Sequence, residues 1–286
     1  MNTIYDAIVV GAGPSGSTTA HYLAQKGLSV LLLDKSDFPR DKTCGDGLPP
    51  RALPVLEDMG ILAEVMEIGC RLDVLAVTSP AGKTTIIPIP KLPHAPSYAV
   101  IIPRFKLDNL IFQRAVKSGA EFIGDAHVKN IEADQEGVTV FLQAEKQNQK
   151  AYKARIVVIA TGATTRLLTN IGFFDEPPPT IVAARAYFEN ISNLEKQFHF
   201  CFAGVAMPGY GWVFPTSDSG ANIGTGYIVG GDKRKQPPSP RSAYDVFIKN
   251  PIIKDIIKGA EQVGQVKGYP LRTDFARAQT FGLTPI

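Results

Sequence analysis

The sequence has few cysteines, few histidines and no basic cluster, and each of these absences excludes a class of protein. Its three cysteines, Cys44, Cys70 and Cys201, are too few and too scattered for a disulfide-rich secreted scaffold. The four histidines stand far apart and no Cys-x-x-Cys pair occurs, so no metal site is predicted. The 30 basic and 27 acidic residues are mixed along the chain, which argues against a nucleic-acid partner.

Long apolar runs are absent as well. No uninterrupted apolar stretch approaches the roughly 18 residues of a membrane-spanning helix. The N-terminus also lacks the basic-then-apolar order of a signal peptide. With 286 residues, 44% of them hydrophobic, the chain has ample material for a buried core. These features predict a reduced, cytoplasmic globular protein made of one large domain or two closely joined ones.

The N-terminal segment shows the order strand, glycine-rich turn, helix, strand. The stretches AIVV and VLLL are short and wholly apolar, as strands buried on both faces are. Between them, Gly11, Gly13 and Gly16 have the G-x-G-x-x-G spacing, which permits a tight turn, close approach to a pyrophosphate and close helix–strand packing. Asp34 ends the second strand, where a carboxylate can accept hydrogen bonds from a ribose. The pattern predicts a dinucleotide-binding unit for either NAD(P) or FAD.

The segments that follow favour FAD. Residues 100–122 read as a strand and a helix, residues 127–144 as a hairpin, and residues 153–167 as a buried strand ending in ATG. A Rossmann unit interrupted by sheet-forming segments and resumed by such a strand is typical of flavoproteins, whereas simpler NAD dehydrogenases continue with alternating strands and helices. Successive strand candidates over residues 180–229 then predict an antiparallel sheet, followed by helices at 242–250 and 252–263.

The predicted fold class is therefore α/β, a Rossmann-type FAD-binding domain with an inserted antiparallel-sheet domain, which the family resemblance given below implies to be the substrate domain. Residues 1–75 are assigned to the first part of the FAD-binding domain, and residues 76–100 to a strand insertion of the substrate domain. Residues 101–170 continue the FAD-binding domain, and residues 171–286 form the substrate domain with its helices.

Four segments of the chain carry a resemblance to a known family. They are DAIVVGAGPSGSTTAHYLAQKGLSVLLLDKSDFPRDKTCGDGL, PRFKLDNLI, IVVIATGATTRL and GYGWVFP, and the loop PRDKTCGDGL together with GYGWVFP is the most specific part. They resemble the geranylgeranyl reductase family of FAD-dependent oxidoreductases, within the p-hydroxybenzoate hydroxylase-like group. Tryptophan halogenases have a related cysteine-glycine loop, but they typically carry a Trp-x-Trp-x-Ile-Pro motif that this sequence lacks.

The resemblance implies which residues contact FAD and which contact the substrate. The FAD contacts would be Gly11, Ala12, Gly13, Ser15 and Gly16 at the pyrophosphate, Asp34 and Lys35 at the adenosine end, Arg40, Arg104, Val128, Thr161 and Gly162 elsewhere along the cofactor, and Cys44, Gly45 and Asp46 next to the isoalloxazine ring. In that loop, Gly45 and Gly47 would let the backbone approach a flat ring.

The aromatic residues of GYGWVFP are the predicted substrate contacts. Tyr210, Trp212 and Phe214 alternate along a strand, so their side chains point to one face. Gly209 and Gly211 place no side chains on the other face of the strand, which would let the backbone approach a flat group closely. The three aromatic residues would line a cavity that faces the flavin.

The implied reaction is saturation of a carbon–carbon double bond in a geranylgeranyl or other isoprenoid chain. NADPH or another electron donor would reduce FAD, and reduced flavin would deliver hydride. An isolated alkene has no carbonyl to take up charge, so a proton donor in a dry cavity is needed, and the candidates are Cys44, Tyr210 or a water. The alternatives are a flavin monooxygenase or halogenase on the same scaffold, and an inactive dinucleotide-binding fragment. Such an apolar substrate would suggest peripheral contact of the protein with the inner face of a membrane.

One part of the family pattern is not found. Flavoproteins of this group carry a second FAD motif, a strand that ends in Gly-Asp. The chain ends in RTDFARAQTFGLTPI, at about the place where that strand is expected. The resemblance therefore implies a chain truncated at its C-terminal end, with the second FAD motif missing after residue 286.

Overall fold

The structure is a computed structural model that describes residues 4–143, 150–173, 180–229 and 238–273. Its described part divides into two compact units. One comprises the described residues of 1–40 and 105–178, and the other those of 41–104 and 179–273. Along these ranges, no helix combines the length and the apolar character needed to cross a membrane.

The described ranges contain runs of consecutive strands separated by helices. The strands are β1 Ile4–Val10, β2 Val30–Leu33, β3 Gly47–Leu48, β4 Cys70–Leu72, β5 Val74–Thr78, β6 Thr84–Pro88, β7 Ala99–Ile101, β8 Glu121–Ile123, β9 Val128–Asp134, β10 Gly137–Leu142, β11 Ala151–Ile159, β12 Thr180–Glu189, β13 Phe198–Cys201, β14 Gly209–Pro215, β15 Ala221–Ile228 and β16 Glu261–Arg272. The helices are α1 Pro14–Gln25, a 3-10 turn Pro50–Ala52, α2 Leu53–Asp58, α3 Leu62–Ile68, α4 Arg104–Lys117, α5 Arg166–Asn170, α6 Pro240–Ile248 and α7 Pro251–Ile256.

The first unit is built on a six-stranded sheet with the order β8-β2-β1-β11-β10-β9. Strands β8, β2, β1 and β11 are parallel, and β10 and β9 extend the sheet as an antiparallel hairpin. Ala20 of α1 and Phe112 of α4 share one apolar cluster with Val9 and Leu32. Ile8 and Leu31 are completely buried in a second cluster. Because both faces of the sheet are covered, its central strands read as continuous apolar runs.

The second unit contains a seven-stranded sheet with the order β16-β12-β15-β14-β13-β5-β6. All neighbours are antiparallel except β13 and β5, which run parallel. Helices α6 and α7 contribute Tyr244, Phe247 and Ile253 to a core with Val213 and Ile223 of the sheet. A small sheet with the order β3-β7-β4 belongs to the same unit. The predicted α/β fold class, with a parallel nucleotide-binding sheet and a separate antiparallel sheet, is confirmed.

One prediction about the C-terminal elements is wrong. The helix predicted over residues 252–263 ends at Ile256, and residues 261–272 form the strand β16. Gly259 adopts a left-handed backbone conformation (φ 78°), which stops the helix. Strand β16 then pairs along the length of β12. The open edge of β12 is a tertiary feature that local periodicity does not contain, and it overrides the helical pattern.

The compact units divide the chain at other residues than the predicted domain boundaries, which stay a prediction. The sequence analysis assigned residues 41–75 to the FAD-binding part, whereas they belong to the second unit of the structure. The reason is strand pairing, since Gly47–Leu48 and Cys70–Leu72 both pair with Ala99–Ile101. A short strand that completes a distant sheet has no sequence signal that separates it from a loop.

Candidate active site

The glycine-rich turn of the first unit has the geometry of an anion-binding turn. Gly11 has φ 104°, and a Cβ atom at this position would lie 2.5 Å from the carbonyl oxygen of Ala160. A Cβ on Gly16 would overlap with the carbonyl oxygen of Gly11, so helix α1 can approach β1 only because Gly16 has no side chain. Helix α1 begins after Gly13 without a side-chain cap. Its free N–H groups and its dipole are therefore available to a phosphate.

Asp34, which directly follows β2, stabilises this turn through hydrogen bonds. Its side chain is buried, its Oδ2 accepts the N–H of Ala12 at 2.7 Å, and its Oδ1 accepts the N–H of Ser36 at 3.0 Å. Each carboxylate oxygen can accept a further hydrogen bond, so the predicted contact with a ribose stays a prediction. Ser15 and Lys35, two other predicted FAD contacts, are exposed.

Arg40 brings a positive charge to the same turn. Its Nη1 forms an ion pair with Oδ2 of the buried Asp108 at 3.1 Å, and its guanidinium lies 4.8 Å from the ring centroid of Phe38. Its Nη2 is 3.4 Å from the place where a Cβ of Gly13 would be. A guanidinium above a glycine-rich turn suits a diphosphate, which accepts paired hydrogen bonds from arginine. These residues of the first unit fit the diphosphate of FAD.

The remaining predicted FAD contacts have defined positions, but their roles stay predictions. Val128 begins β9 and is partly buried. The hydroxyl of Thr161 donates to the carbonyl oxygen of Thr164 at 2.9 Å, and Gly162 has φ 66°. Arg104 begins α4, and its backbone N–H donates to Oδ1 of Asp46 at 3.3 Å.

The second unit contains a cavity of about 560 Å³ that is lined mainly by apolar and aromatic side chains. Tyr210, Trp212 and Phe214 all line it, so the structure brings the three predicted substrate contacts together. Phe198 and Phe200 of β13 complete the aromatic wall, with ring centroids 4.4 Å apart for Phe198–Phe214 and 5.5 Å apart for Phe200–Tyr210. The sequence analysis did not single out these two phenylalanines, although the alternation in FHFCF is a signal for them.

The glycines near the cavity accommodate rings of the protein itself. A Cβ on Gly45 would lie 3.2 Å from Cε2 of Phe214, and a Cβ on Gly47 would lie 2.9 Å from the ring of Phe198. On the other face of β14, a Cβ on Gly211 would overlap with the ring of Phe247. The expectation that Gly211 leaves a bare face is therefore corrected, because helix α6 covers that face.

Asp46 is the centre of a buried hydrogen-bond network next to the cavity. It has a left-handed backbone (φ 66°) and is almost fully buried. Its Oδ2 accepts the hydroxyl of Tyr187 at 2.5 Å and the Nδ2 of Asn222 at 2.8 Å. Burial raises the pKa of Asp46 even though these hydrogen bonds and the charge of Arg185 act to lower it. Burial and the neighbouring Asp46 also raise the pKa of Tyr187, which keeps its phenol protonated.

Arg185 is a charged side chain in the wall of this apolar cavity, and the sequence analysis missed it. It is only 3% exposed, its Nη2 pairs with Oδ1 of Asp41 at 3.2 Å, and its guanidinium stacks 4.3 Å from the ring centroid of Tyr187. Lys267 pairs with the other oxygen of Asp41 at 2.5 Å. Burial would raise the pKa of Asp41, but the hydrogen bond from Lys267 and the charge of Arg185 lower it. An arginine within the apolar run IVAARAYF is the sequence signal that could have revealed it.

The two candidate proton donors both line the cavity. Cys44 is half-buried, and its carbonyl oxygen accepts a hydrogen bond from Asn222 at 2.8 Å. The exposed fraction of the whole Tyr210 residue is 38%. Burial of its hydroxyl, together with the charge of Cys44, raises the pKa of Tyr210, so the phenol stays neutral and able to donate. Among the described residues, no three His, Cys, Asp or Glu side chains come together as a metal site.

Comparisons with known proteins give the class of this chain. A family model described as "FAD binding domain" matches residues 4–280. A menaquinone reductase of Mycolicibacterium smegmatis is 33% identical over 238 residues, which is 80% of this chain and 56% of that protein. A digeranylgeranylglycerophospholipid reductase of Methanocaldococcus jannaschii is 27% identical over 289 residues, which is 99% of this chain and 69% of that protein. The flavin-dependent brominase Bmp2 superposes with a TM-score of 0.77 at 22% identity, covering 94% of this chain and 67% of that one.

The chain belongs to the FAD binding domain family of FAD-dependent oxidoreductases. The relatives named as digeranylgeranylglycerophospholipid reductases confirm the resemblance to the geranylgeranyl reductases. The brominase shares the fold. The chain spans little more than half the length of its mycobacterial relative.

Proposed function

We propose that this protein is an FAD-dependent reductase that saturates carbon–carbon double bonds of an isoprenoid chain. The observation that supports this most is the aromatic cavity of the second unit, in which Cys44 and Tyr210 line a space walled by Trp212 and Phe214. A flexible, apolar polyene fits such a wall because its burial removes apolar surface from water, at about 25 cal/mol for each Å².

The cofactor contacts proposed for FAD are those predicted from the sequence. The glycine-rich turn at Gly11 and Gly13, the open start of α1 and the guanidinium of Arg40 would hold the diphosphate. When bound and reduced, FAD supplies the hydride for the reaction. The sequence contains a single G-x-G-x-x-G fingerprint, so the reductant, NADPH or another electron donor, would have no nucleotide-binding domain of its own here.

The cavity residues would position the alkene and supply a proton. The apolar and aromatic lining would disfavour water beside the substrate, which would limit side reactions and strengthen electrostatic interactions there. Tyr210 keeps its proton because its pKa is raised, and the thiol of Cys44 is the second candidate donor. The donated proton would go to one alkene carbon while the hydride goes to the other, which balances the addition of two hydrogen atoms.

The names of two relatives support an isoprenoid substrate. Digeranylgeranylglycerophospholipid and menaquinone both contain polyprenyl chains, and the relatives named after them align with most of this chain. Peripheral membrane contact is proposed on the same grounds. The cavity edge carries exposed apolar residues, with Met207 65% and Leu271 43% exposed, and these could contact lipid.

Mass spectrometry of isoprenoid lipids incubated with the reduced flavoprotein tests this proposal. We expect a gain of two hydrogen atoms for each saturated bond when geranylgeranyl compounds are supplied. Products that carry a hydroxyl or a halogen would instead indicate a monooxygenase or halogenase, whose fold the brominase shares. A preparation without bound flavin and without any product would favour a non-catalytic fragment. The matched control is the same incubation with fully saturated chains, which should stay unchanged.

A further inference from the structure

We propose that Asn222 is a positioning residue that fixes the Cys44 loop (residues 43–47) against the aromatic wall of the cavity. This inference rests on the proposed function for its consequence in catalysis. The contacts that carry it lie within the second unit alone. The sequence analysis assigned no role to this residue.

Three hydrogen bonds join Asn222 to the loop and to the wall. Its Nδ2 donates to the carbonyl oxygen of Cys44 and to Oδ2 of Asp46, both at 2.8 Å. Its Oδ1 accepts the indole N–H of Trp212 at 2.9 Å. The side chain is completely buried. A single amide therefore links the two parts of the cavity that carry the candidate donor and the aromatic wall.

The chemistry of the partners determines which way the amide faces. The indole N–H of Trp212 can only donate, whereas the carbonyl of Cys44 and the carboxylate of Asp46 accept. Both hydrogens of the Asn222 amide and its oxygen form hydrogen bonds. A flip of the amide would therefore disrupt all three hydrogen bonds, and a change to aspartate would remove the two that Nδ2 donates. An aspartate at this position would still accept from Trp212, but it would direct a carboxylate at the oxygens of Cys44 and Asp46.

Asn222 is one of several contacts that hold this loop, because Asp46 also accepts hydrogen bonds from the hydroxyl of Tyr187 and from the N–H of Arg104, and Gly47 pairs with Ile101. Gly45 and Gly47 have no side chains, and they lie against the rings of Phe214 and Phe198. The backbone of Asp46 takes the left-handed conformation (φ 66°). Asn222 hydrogen-bonds both to the backbone of Cys44 and to the indole of Trp212, so the position of Cys44 relative to the indole depends in part on these hydrogen bonds.

The test compares Asn222→Asp with the control Thr78→Val. Thr78 is also fully buried in the same sheet and hydrogen-bonds to His199 at 2.7 Å, but it is not part of the cavity lining. Both variants are made in a Cys70→Ser background, in which the buried Cys201 is the only thiol besides Cys44. We expect a thiol reagent to modify Cys44 about tenfold faster in Asn222→Asp than in the unchanged Asn222 protein, because the loop loses two buried hydrogen bonds. Thr78→Val should leave the modification rate unchanged.

Trp212 is the only tryptophan of the chain, so its fluorescence reports on the same site. Asn222→Asp retains its acceptor and should keep the emission maximum, whereas Asn222→Leu removes the acceptor and should shift it. If Asn222→Asp does not fold, the double variant Asn222→Asp with Asp46→Asn gives a second test. In it, the new amide at position 46 can donate a hydrogen bond to the new carboxylate at position 222. We expect this pair to recover part of the slow modification of Cys44.

Turnover separates positioning from the proposed function itself. With a geranylgeranyl substrate, Asn222→Asp should lower kcat with little change in KM, because the cavity walls that bind the chain remain. An unchanged modification rate of Cys44 in all Asn222 variants would overturn the inference. Absence of any double-bond reduction by the wild-type protein would refute the proposed function, while the labelling and fluorescence results would still decide the role of Asn222.

Discussion

At the scale of single residues, the cavity of the second unit combines an apolar wall with a small number of buried polar groups. Arg185 and Asp46 are both buried. Arg185 forms an ion pair with Asp41, and Asp46 accepts hydrogen bonds from Tyr187 and Asn222. Such groups are costly to bury unless they are hydrogen-bonded or paired. Their retention beside Cys44 and Tyr210 is typical of a functional site, where perturbed pKa values cluster.

The first prediction concerns the proton donor. We expect Cys44→Ser to lower the rate of alkene reduction by about 100-fold if the thiol donates, since general acid catalysis contributes about 10²–10⁴ and a serine hydroxyl is a far weaker acid. The FAD content, read from flavin absorbance, should not change. Product formation is measured by mass spectrometry in single-turnover reactions.

Tyr210→Phe is the companion variant. If Tyr210 donates instead, this variant shows the large loss and Cys44→Ser retains most of the activity. Wild-type rates in both variants would contradict a side-chain donor and leave a water as the remaining candidate. Because burial raises the pKa of Tyr210, a tyrosine donor also predicts no loss of activity on the alkaline side up to the ordinary pKa of tyrosine, about 10.

The second prediction concerns pH and Asp46. Its folded-state pKa lies above the ordinary value of 3.8, because burial outweighs its hydrogen bonds. A raised pKa gives a stabilising contribution that is complete below the unfolded pKa and is lost as pH rises through the folded pKa. Relative to Asp46→Asn, the free energy of unfolding of the wild type should therefore fall as the pH rises above the ordinary carboxyl pKa of about 4. Urea unfolding at several pH values measures this difference.

Asp218 provides the opposite control. Its hydrogen bond to the exposed Lys196 lowers its pKa, so the stability of the wild type relative to Asp218→Asn should rise with pH over the acidic range. The effect should be small because both side chains are exposed. A flat or rising profile for the Asp46 pair would contradict the pKa direction on which the prediction rests.

At the scale of secondary-structure elements, β14 carries the aromatic wall on one face and the Phe247 ring of α6 on the other. Tyr210, Trp212 and Phe214 lie on the cavity face of β14, and Phe247 of α6 packs on the other face at Gly211. Strand β15 continues the same surface, where a Cβ on Gly224 would overlap with the indole of Trp212. The glycines of these two strands therefore make room for rings on both faces.

The third prediction tests this packing. Gly211→Ala should destabilise the protein by about 1–3 kcal/mol, since a methyl group inserted against the Phe247 ring overpacks a filled core. Combining it with Phe247→Leu should recover part of the loss, because the two changes are made in contact. Thermal or urea unfolding measures both.

Gly268→Ala is the matched control in strand β16 of the same sheet. The nearest atoms to a Cβ there are 3.5 Å and 3.6 Å away, which is ordinary contact, and we expect almost no change in stability. Equal losses for Gly211→Ala and Gly268→Ala would show that glycine flexibility, rather than the Phe247 ring, determines the result.

At the scale of the whole molecule, two compact units supply different parts of the proposed chemistry. The first unit contains the glycine-rich turn and Arg40, which fit a diphosphate, and the second contains the aromatic cavity with Cys44. FAD binding is therefore expected to stabilise the molecule as a ligand that binds only the folded state.

The fourth prediction is that FAD raises the Tm and that Arg40→Gln reduces this rise. A ligand present at 100 times its Kd adds about 2.7 kcal/mol to stability, and a weaker Kd adds less. Because Arg40→Gln also removes the ion pair with the buried Asp108, the shift is measured against the same variant without FAD. Arg155→Gln, which breaks an exposed ion pair with Asp6, is the control and should keep the full FAD response. An undiminished shift in Arg40→Gln would contradict its role at the diphosphate.

Much of the fold and part of the candidate site were predictable because their signals are local. The apolar strands around Gly11, the glycine spacing and the alternation of Tyr210, Trp212 and Phe214 are patterns of a few adjacent residues. Such patterns report backbone geometry and the face on which a side chain lies. The family motifs extended these local patterns to a cofactor and a reaction class.

Only the tertiary structure decided which buried polar groups meet. Asn222 contacts Cys44 across 178 positions of sequence, and Arg185 contacts Asp41 across 144. Strand β16 likewise exists because β12 offers an open edge. These outcomes depend on strand register and on which element covers which face, and neither is contained in a local pattern. The sequence by itself determined the dinucleotide turn and the aromatic strand, and the folded sheet determined the polar network that joins the aromatic strand to the cysteine loop.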